Sequence, residues 1–71
     1  MRRYLVIVEK TSTGYSAYSP DIPGCIATAS TRRSVEKRIE EAIQFHLEGL
    51  RKEGQKLPKP GSYSAYVDVP A

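Results

Sequence analysis

The amino-acid sequence predicts an α+β fold, a two-layer sandwich in which one helix lies on an antiparallel sheet in the order β-β-β-α-β. Three observations predict it. Short β-prone segments near both ends of the chain are bounded by Gly, Pro and Ser. A single longer segment repeats apolar residues at helical spacing. The chain has only 71 residues, so one helix roofing one sheet is an economical way to bury a core. The expectation is one domain over residues 1–71, with no C-terminal DNA-binding domain.

The first strand is expected from Arg3 to Lys10. Tyr4, Val6 and Val8 fall on one face and Leu5 and Ile7 on the other. Apolar residues on both faces mark a central strand, or an edge strand covered by another subunit. Thr11 to Gly14 is turn chemistry, with Gly14 free to take a positive φ. Tyr15 to Ser19 returns as the second strand of a hairpin. Pro20 and Pro23 cannot donate to a ladder, so Pro20 to Gly24 is a rigid bend. Cys25 to Ala29 forms a third strand, and its small residues Cys25, Ala27 and Ala29 leave room for the helix.

The helix is expected from about Arg32 to Lys52, capped by Ser30 or Thr31. Val35, Ile39, Ala42, Ile43, His46, Leu47 and Leu50 build its apolar stripe. Gly54 is placed to stop it, with Arg51 and Lys52 near the negative end of the dipole. Pro58, Pro60 and Gly61 mark an extended return. A last strand is expected from Tyr63 to Val69, with Tyr63, Ala65, Val67 and Val69 inward and Ser64, Tyr66 and Asp68 outward. One helix cannot cover both sheet faces. The second face, with Leu5, Ile7 and several tyrosines, points to a partner or to self-association as a dimer or tetramer.

Composition narrows the function classes. A hydrophobic share of 39% with 27% charged residues fits a folded domain rather than a disordered one. A single cysteine, Cys25, allows no intrachain disulfide, which suits a reducing cytoplasm. The longest apolar run, Leu5 to Val8, is far too short to span a bilayer, so no membrane role is expected. The net charge of +3 is uneven, with Arg32, Arg33, Lys37 and Arg38 clustered at the helix start. Such a cluster is either an ordinary solvated surface or a site for phosphate or an acidic partner.

The order of landmarks resembles the HicB family of antitoxins. The residues that carry the likeness are Tyr4-Leu5-Val6-Ile7, Gly14-Tyr15, and Ser19-Pro20-Asp21-Ile22-Pro23-Gly24-Cys25. Thr31, Glu41-Ala42-Ile43, Leu47, Gly54 and Leu57-Pro58-Lys59-Pro60 continue it. The Pro-Asp-Ile-Pro-Gly-Cys segment is the most specific of these. The resemblance implies a partial RNase H-like fold and a role in binding HicA, a small basic toxin that cleaves mRNA. Two features depart from the pattern. The helix begins Thr31-Arg32-Arg33-Ser34-Val35, where HicB helices usually begin Thr-x-Glu-Glu-Ala, and the chain is basic rather than acidic.

No catalytic, cofactor or metal site is expected. His46, the single histidine, falls in the middle of the apolar stripe and reads as a core or interface residue. Glu9, Asp21 and Asp68 have no spacing that converges on one point, so they read as turn and surface charge. The expected partner-binding residues are Tyr4, Tyr18, Tyr63 and Tyr66, which offer apolar area with a polar tip, and Arg32 and Arg33. Those two cations sit at the positive end of the helix dipole, where each costs roughly 0.3–1 kcal/mol if exposed. Either the surface absorbs that cost or the pair meets an acidic partner or phosphate. The function expected is a protein-binding antitoxin module. The alternative is a small basic nucleic-acid-binding domain, or an orphan oligomeric regulatory domain.

Overall fold

The structure, a computed structural model, describes residues 2–71. Three short strands and one long helix form in chain order: β1 (Ile7–Lys10), β2 (Tyr15–Tyr18), β3 (Ile26–Ala29) and α1 (Arg32–Lys52). The strands pair antiparallel in the order β1-β2-β3.

The hairpin between β1 and β2 is closed by the Thr11 N–H donating to the Gly14 carbonyl at 2.8 Å. The Gly14 N–H donates in return to Thr11 Oγ1 at 3.0 Å. Gly14 is required here for space, not for a positive φ, which among the described glycines belongs to Gly24 and Gly54. A Cβ on Gly14 would stand 2.4 Å from the Ala29 carbonyl oxygen at the end of β3.

Register sorts the side chains onto two faces. Val8, Ala17 and Ala27 stand opposite one another on one face, and Ile7, Tyr18 and Ile26 on the other. The first face takes the helix. Its core is Ala17, Ile22, Cys25, Val35 and Ile39, with Tyr4, Val6, Val8 and Tyr15 packed around it. Ile22, from the proline bend, folds its side chain into this core and is only 1% exposed. The bend itself is held by the Ile22 N–H on the Ser19 carbonyl and the Cys25 N–H on the Ile22 carbonyl, both at 3.2 Å.

Thr31 is the N-cap of α1: its hydroxyl accepts from the Ser34 N–H at 3.1 Å and donates to Ser34 Oγ at 2.8 Å. Gly54, at φ +70°, turns the chain out of the helix, and the Gln55 N–H closes the end on the Leu50 carbonyl at 2.9 Å. A helix of 21 residues is about 32 Å long, while four-residue strands span about 13 Å. So the helix overhangs the sheet. Val35 and Ile39 are buried, whereas Ala42, Ile43, His46, Leu47 and Leu50 are only half-buried.

Two expectations are corrected. The first strand begins at Ile7 rather than Arg3, because Ile7 already pairs with the last residue of β2. Residues 3–6 run on past the end of that ladder. The strand expected over Tyr63 to Val69 does not form within the chain, and its supposedly inward residues are exposed. Tyr63 is 86% exposed, Val67 78% and Val69 77%. This segment stretches the molecule to 49 Å and gives a radius of gyration of 14.0 Å. A compact chain of this length would have about 11 Å. The two-layer α+β architecture holds, with a three-stranded sheet under one helix and an extended tail.

Candidate protein-binding site

Two surfaces can receive another chain. The first is the sheet face away from the helix, where Ile7, Tyr18 and Ile26 form an apolar row across all three strands. Ile26 is 65% exposed and Tyr18 40%. The second is an open groove of about 1050 Å³ between β1 and α1. Tyr4, Val6 and Val8 line its strand side, Ile39, Ile43 and Leu47 its helix side. It exists because α1 packs mainly over β3 and β2 and least over β1.

The expected partner-binding residues do not gather in one patch. Tyr4 and Arg32 both line the groove. The Tyr4 hydroxyl donates to the Pro58 carbonyl, and the Arg32 guanidinium is paired with Glu36 at 2.9 Å. Tyr18 lies on the opposite sheet face. Arg33 is exposed at the helix start, and Tyr63 and Tyr66 lie on the tail, Tyr66 fully in solvent. Sequence reasoning passed over Phe45, which is 79% exposed on the helix. Its signal was available, since it is an apolar residue off the stripe.

Two of the four cations of the basic cluster are tied within the fold. Arg38 donates to the Thr28 carbonyl at 2.9 Å and ties the helix to β3. With Arg32 held by Glu36, only Arg33 and Lys37 of that group are left without such a tie among the described contacts. This is a thin footprint for gripping a phosphate backbone.

Asp21 has a larger part than a turn charge. Its Oδ2 accepts from the Gly61 and Ser62 N–H groups, both at 3.1 Å, and its Oδ1 from the Ser62 hydroxyl at 2.9 Å. The two backbone donors, Ser62 first and then Gly61, hold the carboxyl below its ordinary range. With the Tyr4–Pro58 bond, these contacts fix the base of the tail. Cys25 is buried, and desolvation pushes its thiol up, away from the reactive thiolate. Among the described residues no group of three His, Cys, Asp or Glu side chains could hold a metal ion. No helix among them is long and apolar enough to cross a membrane.

The profile of a family described as "HicB_like antitoxin of bacterial toxin-antitoxin system" matches residues 4–71. The chain belongs to that family. Among curated relatives, a protein of the rep-hol intergenic region of Haemophilus phage HP1 is 34% identical over 67 residues. That match covers 94% of this chain and 50% of the phage protein, so the chain spans half the length of that relative. A UPF0150 protein of Thermoplasma acidophilum is 34% identical over 58 residues, covering 80% of this chain and 84% of its own. Solved structures agree. A chain of a HicA3 and HicB3 toxin-antitoxin complex is similar with TM-score 0.70 at 38% identity, over 84% of this chain and 70% of that one. The crystal structure of antitoxin HicB3 gives TM-score 0.68 at 40% identity, over 80% of this chain and 42% of that one.

Proposed function

We propose that this HicB-like chain is a non-enzymatic, cytoplasmic antitoxin module that sequesters a small HicA-type, mRNA-cleaving toxin, and that it does so as a dimer or tetramer. The observation that carries this reading is likeness over 84% of the chain to a member of a HicA3 and HicB3 complex, at an identity of 38%. The family match over residues 4–71 supports the same class of function. The apolar row of Ile7, Tyr18 and Ile26 supports a protein partner, since exposed aromatic and aliphatic side chains in one patch favour a dry contact.

The charge balance shapes the mode of binding. This chain carries +3, and the proposed toxin is basic. Net charge therefore does not draw the two together, and the apolar face must supply the affinity. Tyr18 is the proposed anchor on that face. Arg33 and the tail tyrosines are proposed as peripheral contacts, and Tyr4 and Arg32 as groove residues.

The test is co-expression of the full chain with a HicA-type toxin from the same genome, followed by affinity capture and calorimetry. A stable complex is expected. Tyr18→Ala should weaken it by about tenfold or more, the usual cost of removing an interface tyrosine anchor. Capture of no toxin by the folded chain counts directly against the reading.

A further inference from the structure

Three features lie away from the far sheet face that carries Tyr18. Among the described residues the outer edge of β1 is unpaired, because β1 has β2 on one side and no strand on the other. Beside that edge lies the open groove, with Val8 on the strand, Val6 just before it, and Ile43 and Leu47 on the helix. Residues 62–71 carry the third feature: an extended segment with Tyr63, Val67 and Val69 in water.

These features fit one another. In an extended segment, Tyr63, Ala65, Val67 and Val69 share one face. Laid along the outside of β1, that face would cover Val6 and Val8 and close against Ile43 and Leu47. The lengths also allow it. Ten tail residues reach about 33 Å, more than enough to run along the edge of β1, whose four residues Ile7–Lys10 span about 13 Å. A tail meant to stay solvated would be polar and poor in β-formers, and this one alternates Tyr, Ala and Val with Ser and Asp.

The base of the tail decides which copy supplies the strand. Pro58 is held beside Tyr4, but Gly61 and Ser62 are held at Asp21, in the connection between β2 and β3. By Ser62 the chain has therefore crossed from the β1 side to the β2–β3 connection. From there its own tail projects outward and leaves its own groove empty. Every copy thus presents one vacant groove and one unused strand, which a twofold exchange satisfies together.

We propose that residues 62–70 of one copy lie as an added strand along β1 of a second copy, and that the second copy returns the same contact. The groove between β1 and α1 is the receiving site, and the missing fourth strand is supplied between chains. This rests on the self-association proposed above and not on toxin binding, and it is tested with no toxin present.

The experiment uses the full chain. Sedimentation equilibrium is expected to give the mass of two chains or a multiple of two. The double variant Val67→Asp, Val69→Asp should sediment as a monomer with an unchanged circular dichroism spectrum from the sheet and helix. Both valines are more than three-quarters exposed in the single chain, so the substitutions leave the domain's own packing alone. In a mixture of isotope-labelled and unlabelled wild-type copies, filtered nuclear Overhauser contacts should join Val67 methyls of one copy to Ile43 or Leu47 of another. A wild-type monomer, an oligomer that survives the double variant, or contacts confined to one copy would each overturn the exchange. Toxin capture by the monomeric variant is read separately, so loss of the exchange and loss of the antitoxin reading remain distinguishable.

Discussion

At Asp21 one carboxylate gathers three donors from a segment 40 residues and more away. A partner at that distance leaves no mark in local sequence, so the residue reads there as a turn charge. Its chemistry gives a pH prediction. Hydrogen bonds from Ser62 and Gly61 stabilise the charged form and lower the folded pKa from the ordinary 3.8. The stabilisation is therefore complete above that ordinary value and is lost as pH falls through the lower folded value. Followed by NMR, the Gly61 and Ser62 amide shifts should move together with a midpoint below 3.8, and Asp21→Asn should abolish the transition. A midpoint at or above the ordinary value would contradict the contact. Sequence reasoning passed over both Ile22 and Phe45. Ile22 looks like a loop residue between prolines, yet it is 1% exposed. Phe45 is a large apolar residue that the helix turns outward.

Among the elements, what was legible depends on range. The hairpin, the proline bend and the helix are set by neighbours within a few residues. The helix accordingly falls at Arg32–Lys52, with Thr31 as the cap, as the capping and stop residues indicate. The fourth strand was not legible in this way. Alternation at Tyr63 to Val69 records a wish for a strand environment, and it is silent on which edge, or which copy, provides one. Gly14 shows a right residue assigned for the wrong reason, since a turn explains its backbone freedom but only the folded sheet shows the Ala29 carbonyl pressing on it. Gly14→Ala should therefore destabilise the domain by about 1–3 kcal/mol, the range for overpacking, as measured by urea unfolding. A change within about 0.5 kcal/mol, as for an ordinary surface substitution, would show that the turn has slack.

For the whole molecule, small size governs the account. Among the described residues the buried apolar core is five side chains, and the C-terminal half of the helix stripe is only half covered. Such a domain would gain from the association proposed for its groove, its tail and its far face. The family resemblance was legible from the order of landmarks and holds over residues 4–71. The six residues expected to bind a partner were chosen for their chemistry, and the fold places them on separate surfaces, because chemistry alone does not fix where a side chain stands. Antitoxin action is decided by mRNA cleavage by a HicA-type toxin from the same genome, followed as the folded 71-residue chain is added at physiological salt. Cleavage is expected to fall to background near molar equivalence, and raising the salt should not weaken the inhibition, because net charge would not draw this basic chain to a basic toxin. Undiminished cleavage at large excess of the chain would contradict the proposed antitoxin role.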